Sequence, residues 1–173
     1  SLRVALPYTT LTQAWIQVFI VAAQRIQKPT NLEVRRLNAV TRKLQKEPKH
    51  LIFKSMQCQG HIDLHTDSGY RRLTDADEEY KGYGMRGTCM LRRGKDPKHQ
   101  DVVHLLDSIC KSHRLTIRSS YGAEMLAASH GFDDVFPSII TLLELKHGVL
   151  TPEQLKNVRE NGNISIKVTL TTD

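Results

Sequence analysis

His61-Ile62-Asp63-Leu64-His65-Thr66-Asp67-Ser68 is the stretch on which the fold turns. From Gln59 to Asp67 it is β-prone, and alternation places His61, Asp63, His65 and Asp67 on one face of a strand whose last acidic position is Asp67. Two further acids close comparable runs. Glu124 follows Arg118-Ser119-Ser120-Tyr121-Gly122-Ala123, and Asp173 ends Ile166-Lys167-Val168-Thr169-Leu170-Thr171-Thr172. An acid at one strand end, one in the first turn of a helix and one at a second strand end can converge on a point. Hard carboxylate oxygens on rigid elements are what a divalent cation needs.

Working outward, the pattern before this strand is helical. Leu11, Ala14, Trp15, Val18, Phe19, Ala22 and Ile26 recur at helical spacing opposite a stripe of Gln13, Gln17, Gln24 and Gln27. Pro29 breaks that helix, and Thr30 or Asn31 can cap a second one with the apolar seam Val34, Leu37, Thr41 and Leu44, ended by Pro48. The flank of this second helix carries Arg35, Arg36, Arg42, Lys43 and Lys46. Both a solvated face and a phosphate-contacting stripe fit that pattern.

After Lys49 the chain turns to strands: Leu51 to Lys54, Gln59 to Asp67, Tyr83 to Arg92 after the acidic loop Thr74 to Lys81, Val102 to Ile109, and Leu115 to Arg118. From Ser120 a helix offers Met125, Phe132, Val135, Phe136, Ile139, Leu142 and Leu143 for burial, and Pro137 should kink or split it. A polar stretch, Thr151 to Asn163, leads to a last strand, Ile164 to Asp173. The order of elements predicts a small α/β domain over 51–173 behind a helical lead-in over 1–50.

The 173 residues are enough to bury a core. A formal charge of +7 and a sequence pI near 9.5 point toward a polyanionic partner without deciding it. Cys58, Cys89 and Cys110 are odd in number and lack C-x-x-C spacing, which disfavours a disulfide framework or a zinc site and fits a reduced intracellular compartment. The apolar stretch Ala14 to Ala23 contains Gln17 and falls short of the roughly 20 residues of a membrane span, so no membrane partner is expected. There is no signal-peptide pattern, and the chain starts at Ser1 without Met, so a preceding segment is expected.

Other polar residues compete with the three acids. Asp75, Asp77, Glu78 and Glu79 read as a solvated loop, and Asp133 with Asp134 as an outer helical face. His61, Asp63, His65 and Asp67 could form a metal cluster, but alternating polar residues on a half-exposed strand are the commoner arrangement. His104, His113 and His130 lack partners at ligand spacing and read as surface or satisfied histidines. No G-x-S-x-G elbow supports a serine hydrolase.

Taken in order, several segments resemble the carboxyl-terminal part of a copia-type retrotransposon polyprotein, where the reverse transcriptase tail runs into a ribonuclease H domain. They are Pro29-Thr30, Leu37-Asn38 with the basic run to Pro48-Lys49, Thr66-Asp67-Ser68, Tyr83-Gly84-Met85-Arg86-Gly87, Ser112-His113-Arg114, and Arg118 to Ala128. The resemblance covers nearly the whole chain. It implies a ribonuclease H-like mixed sheet with a flanking helix, preceded by a two-helix connection segment, with the carboxyl-terminal part of the fold missing. It also implies that Asp67, Glu124 and Asp173 are catalytic ligands of Mg²⁺ (or Mn²⁺), Asp67 bridging two ions, and that a fourth ligand lies beyond Asp173. Asp63 and His65 are polar where the family's first strand is largely buried, and Thr12-Gln13-Ala14 stands where Arg-Pro-Asp is usual.

On that resemblance the chain is expected to be a fragment of a retroelement reverse transcriptase whose intact domain cleaves the RNA strand of an RNA–DNA hybrid, in the cytoplasm or nucleus. Arg71, Arg72, Arg118 and the flank from Arg35 to Lys46 are the expected phosphate contacts, and the rest of the polyprotein is the expected protein partner. Polymerase activity is not expected, because the paired-aspartate motif is missing from the chain. A decayed copy with at most nucleic-acid binding, and another nuclease or recombinase on the same scaffold, stay open as alternatives. An uncovered apolar sheet face and edge would make the isolated chain marginally stable or prone to associate.

Overall fold

The computed structural model describes residues 30–47, 51–69, 84–113, 119–162 and 165–172. The expected first helix, Leu11 to Ile26, the acidic loop, and the expected strand Leu115 to Arg118 lie outside them. In chain order the described elements are α1 (Asn31–Lys46), β1 (Gln57–Gly69), β2 (Met85–Lys95), β3 (Asp101–Ser112), α2 (Ser120–His147), α3 (Pro152–Asn161) and β4 (Lys167–Thr172). The strands form one mixed sheet in the order β3-β2-β1-β4.

β1 is central. It pairs antiparallel with β2, from His61↔Arg93 to Gly69↔Met85, and parallel with β4, from His61↔Lys167 to Thr66↔Thr172. β3 pairs antiparallel with β2 and carries an irregularity opposite Met90/Leu91. The first three strands run as a meander, while β4 returns parallel to β1 only after the two helices α2 and α3, as a parallel pair requires a long crossover. The α/β class and the mixed sheet expected from the sequence are present, with a helix packed on the sheet.

α2 seals one face. Ile62, Leu64 and Met90 from the sheet pack with Val135, Ile139 and Leu143 of α2, and Val158 of α3 with Ile166 extends the cluster. Its neighbours Ala123, Ala127, Ala128 and Gly131 are buried too, so small residues let the helix approach β1 closely. The approach is closest at Gly131, where a Cβ would meet Thr66 Cγ2 at 2.6 Å. At the edge of this face Asp134 takes Arg86 Nη1 at 3.0 Å and Lys111 Nζ at 3.6 Å, tying α2 to β2 and β3.

Several expectations need correction here. Leu51 to Lys54 is not a strand but irregular chain without ladder partners, and Ile52 is 76% exposed. Pro137 does not split α2, which runs through it, because burial of Val135 and Ile139 on either side outweighs one lost hydrogen bond. Met125 and Phe132 are exposed rather than buried, since the close approach selects alanine and glycine on the contact side. Asp134 does not sit on an outer face, whereas Asp133 does. The stretch after Thr151 is a helix, started by a capping box in which Thr151 Oγ1 accepts from Gln154 N and Gln154 Oε1 from Thr151 N.

Candidate functional site

The direction of α2 decides which end of the sheet can hold a site. Its carboxyl-terminal residues Leu143 and His147 line a cavity with Val158 and Ser165, just ahead of β4, and β4 begins opposite His61. Near its middle, Gly131 lies against Thr66 and Leu64. The helix therefore runs antiparallel to β1, and its amino-terminal residues lie toward the carboxyl end of that strand.

Asp67 sits at that end, exposed, one residue beyond Thr66 and paired through its backbone with Gly87 of β2. With no side chain on Gly87, the neighbouring strand leaves the carboxylate room: a Cβ there would meet nothing nearer than Asp67 O at 4.0 Å. Alternation turns Asp67 to the face away from α2, because Thr66 and Ser68 face the helix side. Glu124, half-buried, precedes Gly131 by seven residues and so lies about 10 Å further along the helix axis, while Asp67 lies about 3 Å past Thr66 along its strand. α2 thus overhangs the end of β1.

The sequence placed Glu124 in the first turn of the helix. The helix starts at Ser120, with Ser119 Oγ capping Gly122 N at 3.0 Å, so Glu124 belongs to the second turn and the first contains no acid. Asp173 follows Thr172, the last described residue of β4, and lies outside the described residues, as do Arg71, Arg72 and Arg118. Among the described residues no three His, Cys, Asp or Glu side chains come together as a metal-holding group. Arg35, Arg36, Arg42, Lys43 and Lys46 are all exposed along α1.

Next to Asp67 the structure closes the strand end tightly. His113 is buried at 2% exposure, and its Nε2 is 2.8 Å from Ser68 Oγ, which also lies 3.3 Å from Met85 O. A hydroxyl has one proton, so if Ser68 donates to Met85 O the imidazole nitrogen donates to Ser68. That is a structural latch rather than a base activating a nucleophile. His113 N also donates to Gly84 O at 2.9 Å, and a Cβ on Gly84 would meet Gly69 O at 2.5 Å. His113 is therefore a buried histidine that holds Ser68 through Nε2.

The rest of the polar face is less solvated than alternation alone implied. Asp63 is buried at 7% exposure; its Oδ1 is 2.7 Å from His61 Nε2, and its Oδ2 is ion-paired with Arg93 Nε. Thr169 Oγ1 lies 3.1 Å from the same His61 nitrogen, which joins the network to β4. Sequence reasoning missed Arg93, for which the signal was available only as register: it pairs directly opposite His61. On the same face, Cys89 has a thiol pKa raised by burial and by the nearby Asp107 carboxylate, so it rests as a protonated thiol rather than a nucleophile. Cys89 carries a free thiol.

No described helix is long and apolar enough to cross a membrane. No protein-family model matches the chain, and no curated protein matches it.

Proposed function

We propose that the chain is part of a retroelement reverse transcriptase polyprotein, and that its ribonuclease H-like domain hydrolyses the RNA strand of RNA–DNA hybrids. The observation that carries the reading is a coincidence of ends. β1 and β4 run parallel, so both carboxyl ends emerge at the same side of the sheet; Asp67 is exposed there, and α2 overhangs that side with Glu124. The chain continues from Thr172 of β4 directly to Asp173.

These three carboxylates are hard oxygen donors of the kind Mg²⁺ prefers, and they would hold it. Mg²⁺ bound there would supply the positive charge that phosphodiester hydrolysis needs. The chain's own contributions are more specific. The central strand gives Asp67 a rigid backbone, Gly87 leaves space beside it, and the Ser68–His113 latch ties the end of β1 to the residue that follows β3. The exposed cations Arg35, Arg36, Arg42, Lys43 and Lys46 would meet phosphates of the hybrid, in the cytoplasm or nucleus.

The test is cleavage of an end-labelled RNA–DNA hybrid with Mg²⁺, by this chain and by a longer one that includes the sequence on either side. Cleavage by either that is lost in Asp67→Asn supports the reading. Hybrid binding without cleavage by the longer chain replaces it with that of a decayed, inactive copy, and equal cleavage by Asp67→Asn removes the metal assignment.

A further inference from the structure

The other end of the polar face holds an open cleft of about 480 Å³, lined among others by Gln57, His61, Arg93, Lys95 and His99. It belongs to the strand ends opposite Asp67. His61 and Asp67 share a strand face six residues apart, a separation of about 20 Å at the rise of a β-strand. We infer that this cleft is a phosphate-binding site that holds the backbone of a nucleic-acid strand whose scissile phosphate lies at Asp67. The choice of a nucleic-acid strand rests on the function proposed above.

Three independent features support it. First, Arg93 is set in place. The buried Asp63 carboxylate takes Arg93 through Nε and His61 through Nε2, leaving the terminal guanidinium nitrogens of a half-exposed arginine for a ligand. An arginine oriented in this way presents a planar fork that matches phosphate oxygens. Second, Lys95 is half-exposed and, among the described residues, paired only with Asp101, whose side chain is 83% exposed, at 2.6 Å. A surface pair of that kind exchanges its carboxylate for a phosphate at little cost.

Third, the β2–β3 turn is rigid and holds His99 in an unusual conformation. Asp96 Oδ1 accepts from Lys98 N at 2.8 Å and Gln100 N at 2.9 Å, while His99 N donates to Asp96 O at 2.9 Å. His99 has φ 60°, the left-handed region that asparagine or glycine would occupy more easily. From this position the imidazole lines the cleft.

Fluorescence anisotropy of the full chain with a labelled RNA–DNA hybrid of about 12 base pairs, long enough to span about 20 Å, tests this. Chelator keeps the metal away, so cleavage plays no part. The double variant Lys95→Gln, His99→Gly leaves the Asp63 network intact and relieves the strained φ, so it should fold. It should bind about 10-fold more weakly at low salt, with the slope of log affinity against log salt reduced by about one. Lys156→Gln on α3, an equal loss of exposed charge, should leave the slope unchanged. A wild-type slope in the double variant, or an equal drop in Lys156→Gln, overturns the site.

Inorganic phosphate distinguishes the source of the ligand. If it saturates the His61 and His99 ring resonances at a lower concentration than the hybrid does, the cleft is a site for the free ion and the backbone assignment fails. Absence of cleavage in the Mg²⁺ assay, beside a cleft-dependent salt slope, would remove the nuclease reading and leave the cleft standing.

Discussion

The two faces of the sheet are built on different physics. Under α2, Ile62, Leu64 and Met90 meet Val135 and Ile139, all at or below 2% exposure, and the helix lies close because Gly131 and three alanines leave no bulk in the way. On the opposite face the same central strand presents His61, Asp63, His65 and Asp67. Burial of apolar area stabilises the first face, at roughly 25 cal/mol per Å². Charge pairing organises the second. The comparison teaches that β1 does two jobs with one period: even-numbered positions anchor the fold, and odd-numbered positions are free to carry chemistry.

That division can be broken most severely at Asp67. Asp67→Asn should lower hybrid cleavage on the order of 10³-fold, equivalent to about 4 kcal/mol of barrier, while leaving the thermal transition within a degree or two. A large loss of stability with the loss of cleavage would show that the polar face also carries the fold. The converse substitution is Leu64→Ala, which should cost about 3 kcal/mol of unfolding free energy and be visible in urea titration as a lower midpoint at unchanged slope. Its cleavage rate, measured well below its melting temperature, should stay close to that of the unaltered chain.

Asp63 tests whether the charge network stabilises or only organises. Removing it in Asp63→Ala leaves His61 and Arg93 without their shared carboxylate. Arg93 is half-exposed and water can solvate it, so the cost should be about 1–2 kcal/mol rather than the larger figure for a fully buried pair. Denaturant unfolding of Asp63→Ala, Arg93→Gln and the double variant measures the coupling. A double variant no worse than Asp63→Ala would mean that the two residues act as one unit.

Much of this fold could be read from residue order alone, and the gaps have physical causes. The alternation around Leu64 and the helical run from Ser120 are local signals, and the structure follows them. The burial of Met125 and Phe132 was misread because periodicity ranks residues by hydrophobicity, whereas the contact side of α2 was chosen by closeness to β1. Thr151-Pro152-Glu153-Gln154 was a readable capping box, passed over because the stretch is polar as a whole. At the candidate site, Asp67 and Glu124 are local features, but the sharing of one sheet end depends on β4 returning parallel to β1. Arg93 depends on register, which a single strand's sequence does not contain.

The smallest effect concerns a flaw in the apolar face. Thr66 and Thr88 sit opposite each other on β1 and β2, both facing α2, and each buries its Oγ1 without a hydrogen-bond partner among the described residues. A hydroxyl taken out of water without compensation costs about 1 kcal/mol or more, while a methyl group in the same volume costs nothing of the kind. Thr66→Val keeps the shape that meets Gly131, since only the oxygen is replaced. It should therefore stabilise the chain by about 1 kcal/mol and raise its melting temperature by about 2–4 °C. Gly131→Ala gives the opposing control: its Cβ would have to displace the Thr66 methyl, so it should destabilise despite alanine's better helix propensity. If Thr66→Val instead lowers stability, the hydroxyl has a partner under α2, and that face is wetter than its neighbours Leu64 and Met90 imply.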